Sequence, residues 1–183
     1  MHWYITRLCW NTNGWQRPSG TAEETDSFCA QNGFGLEEWL FSPLLHGAWC
    51  YGFVQGVSRH VRAPDERELC LLFYALRPPG PSAERLFVAQ MRCEMLEPAE
   101  AAAAFHHFNT NGTIAQMRNE VPAGGNAGFF DNVMSDGSSI FNIRYRPHEA
   151  VVYPQFVRVP SGHFVADPDY KRYHLYQTSP DWH

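Results

Sequence analysis

The chain has 183 residues, 44% of them hydrophobic and 15% aromatic, and 14 Lys and Arg against 19 Asp and Glu leave a formal net charge of −5. That length suits a single domain over 1–183 with a core of its own. The charge argues against a sequence-blind nucleic-acid binder, which is usually basic, but not against a local basic groove. The opening MHWYITRLCW lacks a basic stretch followed by an apolar one, and no apolar run is long enough to span a bilayer, so a cytoplasmic protein without a signal peptide or membrane partner is expected.

In chain order, HWYITRLC (2–9) alternates as a strand does. Residues 11–35 are rich in Asn, Gly, Ser, Thr and Pro and read as a long loop, although Trp15, Phe28 and Phe34 within it argue against disorder. LEEWLF (36–41) reads as a helical turn stopped by Ser42-Pro43. GAWCYGFVQGV (47–57) reads as a strand whose glycines mark a bulge or a close approach. RAPDER (62–67) is a turn, ELCLLFYALRP (68–78) a buried strand, PPGPS (78–82) a breaker, and RLFVAQMRCEML (85–96) the strand that completes a hairpin. EPAEAAAAFHHF (97–108) is the clearest helix, with Pro98 in its first turn and acids early. TIAQMRNEV (113–121) reads as a second helix, PAGGNAG (122–128) as a loop, and SIFNIRYRP (139–147), EAVVYP (149–154) and YKRYHLYQ (170–177) as strands. About seven strands and two or three helices, not alternating, predict an α+β fold: a small mixed β-barrel with flanking helices rather than a doubly wound parallel sheet.

No nucleophile-elbow, P-loop, zincin or dinucleotide-binding motif is present. Cys9, Cys29, Cys50, Cys70 and Cys93 form no CxxC pair, so neither a zinc site nor a disulfide framework is expected, and scattered free thiols fit a reducing compartment. The nine histidines show no ligand spacing, and no metal, cofactor or catalytic residue is assigned. His106, His107 and Asn109 crowd one helix end, which does not suit a His-His-Asn nuclease site. Glu37 and Glu38 are adjacent, and helix neighbours point to different faces, so they cannot serve one acid/base pair.

The aromatics are more informative. Trp10, Trp15, Trp39, Trp49 and Tyr51 lie within the first 51 residues, interleaved with Asn11, Asn13, Gln16, Glu37 and Glu38. A planar base held in a pocket needs this mixture: flat faces for stacking, and amides or carboxylates for its hydrogen-bonding edge. The competing reading is an aromatic-rich core whose Asn and Gly residues serve turns.

WNTNGWQRPSG, NGFGLEEWLF and WCYGFVQG, with the closing FNIRYRPHEAVVYP and YKRYHLY, resemble small modified-base-binding domains of bacterial modification-dependent restriction systems. These are similar to the wider PUA-like superfamily, with its EVE, ASCH, YTH and SRA relatives. The resemblance spans most of the chain, but residues 58–135 contribute little to it. It implies a bent barrel of five or six strands and a pocket that takes a flipped or single-stranded base. The matching positions are Trp10, Asn11, Asn13, Trp15, Glu38, Trp39 and Trp49. Such domains are often fused to an HNH-type nuclease; none is recognised here, so either cutting comes from a nuclease partner in trans or the protein does something other than restriction.

The leading expectation is a non-enzymatic reader of 5-methyl- or 5-hydroxymethylcytosine in DNA, with RNA left open. Phosphate contacts are expected from Arg17, Arg144, Arg146, Lys171 and Arg172, within a wider basic set of Arg7, Arg59 and Arg62. The alternatives are an enzyme acting on a base or nucleotide, through Glu37, Glu38, Asp131 or His106, and a protein-interaction subunit of a defence system.

Overall fold

The computed structural model describes residues 2–20, 28–60, 66–77, 84–136, 140–167 and 174–179. Its centre is a hairpin of two long strands, β4 (Glu68–Arg77) and β5 (Glu84–Met95). The apolar run of β4 is buried at every position except its two ends, as a strand covered on both faces requires. β1 (His2–Arg7) pairs parallel with β4, from His2 opposite Leu69 to Arg7 opposite Tyr74, and its other edge takes β8 (Tyr176–Thr178) antiparallel.

The free edge of β5 carries two partners in succession. β6 (Ile143–Tyr145) pairs with Glu94 and Met95, and β7 (Ala150–Arg158) with residues 86–91. The register shifts between Phe87 and Ala89 against both β4 and β7, so Val88 sits in a bulge that bends the strand. β3 (Trp49–Gly52) extends the sheet from β6, and β2 (Leu45–His46) closes a short hairpin with β3. The fold is therefore α+β on an eight-stranded mixed sheet in the order β2-β3-β6-β5-β4-β1-β8, with β7 beside β5. Among the described residues this order has two ends and does not return on itself as a barrel.

Several segments differ from the sequence reading. The predicted loop 11–35 contains a helix, α1 (Phe28–Asn32). The predicted strand 47–57 ends at Gly52, and a helical turn, α2 (Gln55–Ser58), follows. The close approach anticipated for its glycines is met at Gly56, where a Cβ would lie 2.6 Å from Thr6 Oγ1 on β1. The helices α3 (Pro98–Thr110) and α4 (Thr113–Asn119) form where expected. Glu100 accepts the Glu97 N–H at the start of α3, and Ala101, Ala104 and Phe108 make its buried stripe. A fifth helix, α5 (Ala127–Asp136), was not anticipated. Strand 149–154 runs on to Arg158, and the first part of the predicted strand 170–177 lies outside the described residues.

Three apolar clusters result. One lies under the sheet around Leu8, Leu71, Phe73, Val88 and Ile143, and also holds Trp10 and Trp15. A second joins the helices to the β3 end around Phe34, Trp39, Phe108, Met117 and Phe130. The third, around Ile5, Leu72, Tyr74, Phe87 and Val165, covers the opposite face of β4. Asn142 ties the chain after β3 to this frame: its Oδ1 accepts the Val54 N–H at 2.9 Å, and its Nδ2 donates to Val54 O and Ser58 Oγ, both at 2.8 Å. Val54 is fully buried, so water cannot replace these bonds. Asn142→Ala is expected to lower unfolding free energy by about 1–3 kcal/mol for the groups left unpaired, measured by urea denaturation with the slope unchanged.

Candidate ligand-binding site

The segment Cys9–Ser19 is a folded turn built on Asn11. The Asn11 Oδ1 accepts the Asn13 N–H at 2.6 Å and the Trp15 N–H at 2.9 Å, and its Nδ2 donates to Arg17 O and to Glu38 Oε1. Asn13 closes the turn by donating from its side chain to Pro18 O at 3.0 Å. Glu38, 3% exposed, also accepts the Ser19 N–H at 2.9 Å and the Gly35 N–H at 3.0 Å. Trp15 is fully buried at φ 54°, the only non-glycine residue at positive φ among those described. Its indole N–H donates to Cys9 O at 2.9 Å, and its carbonyl accepts the Phe41 N–H at 2.8 Å. Left-handed backbone at an aromatic residue is costly and survives where the surroundings dictate it. Trp10, largely buried, meets Phe156 edge-on at 5.9 Å.

The structure thus brings Trp10, Asn11, Asn13, Trp15 and Glu38 together, as a self-satisfied structural turn. Trp39 sits apart in the helical core, packed on Phe34 and Phe130, its indole N–H donating to Glu120 at 2.6 Å. Trp49 lies in a third place, on the β3–β6 surface. The Arg146 guanidinium is 3.8 Å and that of Arg144 4.7 Å from its ring centroid. Arg144 is also paired with Glu94 at 2.6 Å and Glu100 at 3.3 Å, so its charge is already met. Arg17 is exposed on the turn, whereas Arg7 is buried; Lys171, Arg172 and Arg62 lie outside the described residues. Asp131 is at the surface, its carboxyl held below the usual range by its hydrogen bonds to Arg118, and His106 is exposed.

A cavity of about 300 Å³ opens elsewhere, between α1, the 3-10 turn Leu36–Trp39, α2 and α5. Phe28, Phe53, Phe129, Leu36 and Val133 give it apolar walls; Glu37, Gln55, Arg59 and Cys29 are its polar members. Phe28 and Phe129 meet edge-on at 4.9 Å. Their helices are tied by Asn126, whose N–H donates to Asn32 O at 2.8 Å and whose side chain donates to Asn32 Oδ1 at 3.2 Å. Glu37 is 4% exposed; its Oε1 accepts the Gln55 N–H at 2.8 Å and its Oε2 the Cys9 N–H at 3.4 Å. The volume is at the low end for small-molecule sites and suits one flat ring between aromatic faces. Among the described residues no cluster of three or more His, Cys, Asp or Glu is arranged to hold a metal ion, and no helix is long and apolar enough to cross a membrane.

Sequence reading singled out Glu37 and Arg59 but passed over Phe28, Phe53, Gln55, Phe129 and Val133 as site residues. The available signal was FFDNVM (129–134): Phe129 and Val133, four apart, share one helix face, and Phe130 and Met134 share the next. The second pair is buried in the helical core, while the first lines the cavity.

Two outcomes follow for the turn. Trp15→Ala is expected to lower stability by about 3–5 kcal/mol, seen as a shifted urea midpoint. Burial holds the Glu38 carboxyl above its usual range, against the lowering effect of the Ser19 and Gly35 N–H groups and the Asn11 amide. The folded state therefore keeps this proton more tightly than the unfolded one, and Glu38's contribution is greatest below the ordinary glutamate pKa of about 4.3. As pH rises through the folded value, wild type should lose stability relative to Glu38→Gln, as thermal melts across that window would record.

No family model, curated protein sequence or solved structure matches this chain.

Proposed function

We propose that the protein is a reader of modified nucleic acid, without catalysis of its own, which takes one flipped or single-stranded 5-substituted cytosine into the cavity between α1, α2 and α5. The observation that carries this reading is the cavity's make-up: three phenylalanines around a buried carboxylate, with an amide and an arginine. Aromatic faces stack on any base, each contributing about 1–3 kcal/mol. A carboxylate accepts from the exocyclic amine of cytosine and has nothing to offer the O4 of thymine or uracil. In this reading Glu37 selects the amine, Phe28, Phe53 and Phe129 hold the ring, and exposed Arg59 takes a flanking phosphate. The Asn11–Glu38 turn and its tryptophans brace the site rather than line it. A PUA-like ancestry belongs to the same proposal, with the bulged β5 supplying the bend of the sheet.

The test is fluorescence anisotropy with matched oligonucleotides carrying cytosine, 5-methylcytosine or 5-hydroxymethylcytosine, single- and double-stranded, at fixed salt. The expected result is a tenfold or greater preference for one modified base, with affinity for that base lowered about tenfold or more by Phe129→Ala. Equal, weak, salt-sensitive binding to all of them overturns the reading. A second reading rests on the same carboxylate: Glu37 inside an aromatic pocket has the setting of a general base acting on a nucleobase. Nucleoside analysis after incubation separates the two, since a changed or released base requires an enzyme.

A further inference from the structure

Cys29 lines the cavity, and Cys9 is buried next to it, outside the lining. Their sulfurs converge over Gly35: a Cβ at that position would stand 2.9 Å from Cys29 Sγ and 3.5 Å from Cys9 Sγ. A side chain at residue 35 would therefore push the two sulfurs aside. The hydrogen bond that the Cys9 S–H donates to Cys29 is the largest cause, with burial next, of the raised Cys9 thiol pKa. The other three cysteines are placed differently. Cys50 is beside Tyr145, while Cys70 and Cys93 belong to adjacent strands, Cys70 opposite Arg92 and Cys93 opposite Leu69. Strand alternation puts Cys70 and Cys93 on opposite faces. None of these three lines the cavity about α5.

We propose that Cys9 and Cys29 are a peroxide-oxidisable dithiol in the inner wall of the cavity, a modification site that stands whether or not the cavity binds a base. The oxidant is a hydroperoxide small enough to enter, hydrogen peroxide being the simplest. The Cys29 thiolate attacks one peroxide oxygen; the O–O bond breaks, water leaves after protonation, and Cys29 becomes a sulfenic acid. The Cys9 sulfur then attacks the Cys29 sulfur, the S–O bond breaks, and the leaving hydroxide takes the Cys9 proton as a second water. Two thiols and one peroxide give one disulfide and two waters. Access favours Cys29 as the entry point, because it alone of the pair borders the cavity.

The experiment uses the reduced full-length protein, treated with hydrogen peroxide, quenched by alkylation and digested. Expected are a mass loss of two hydrogens, a peptide pair joined through Cys9 and Cys29, two fewer alkylatable thiols after unfolding, and full reversal by dithiothreitol. In Cys9→Ser the same treatment should instead leave Cys29 carrying one added oxygen, trapped by dimedone. The proposal is overturned if the wild type links other cysteines, if Cys29 passes to sulfinic acid without a disulfide, or if both thiols survive while Cys50, Cys70 or Cys93 oxidises. The wild-type peptide map decides the matter even if a variant fails to fold.

Discussion

Two buried carboxylates in consecutive positions, Glu37 and Glu38, hold together the turn after β1 and the wall of the cavity beside it. A carboxylate out of water must be met by donors or it takes up a proton instead. Glu38 meets its donors in the Asn11 amide and the Ser19 and Gly35 N–H groups; Glu37 meets its own in the Gln55 and Cys9 N–H groups. One short turn thus fastens the end of β1, the loop that follows it and the start of α2. Adjacent residues face different ways, so a single segment can serve the turn on one side and the cavity on the other.

That arrangement explains the tryptophans that stand out in WNTNGW. A loop can bury large aromatic rings if its backbone hydrogen bonds are satisfied locally, and Asn11 does this for three backbone groups at once. Trp15 then fills the sheet core from within a turn, at a backbone angle that favours glycine. The cavity is lined instead by phenylalanines from separate elements, which no local stretch of sequence groups together.

The parts legible from sequence are those in which one short segment carries its own signal. β4 is an unbroken apolar run, β5 follows a Pro-Gly breaker, and α3 has a proline, early acids and an alanine stripe. The parts missed are those fixed by tertiary partners. α1 is five residues long and α2 four, too short to show a period, and α2 is held by Asn142 from far along the chain. α5 begins in a glycine-rich stretch that reads as loop, although Phe129 and Val133 carry a helical spacing. The expected site residues split for the same reason: Trp10, Asn11, Asn13, Trp15 and Glu38 share a turn, while Trp39 and Trp49 share only composition with them. The pairing of Trp49 with Arg146 becomes visible once β3 and β6 are known to be neighbours.

The place of β1 in the sheet has a consequence for how the chain reaches this state. Residues 2–7 are made before the strands they pair with, residues 69–74 on one edge and 176–178 on the other. Such non-local pairing makes folding slow, because long loops must close before their contacts form. Until residues 176–178 are made, the edge of β1 away from β4 lacks the partner it has in the fold, and an open strand edge can pair with other chains.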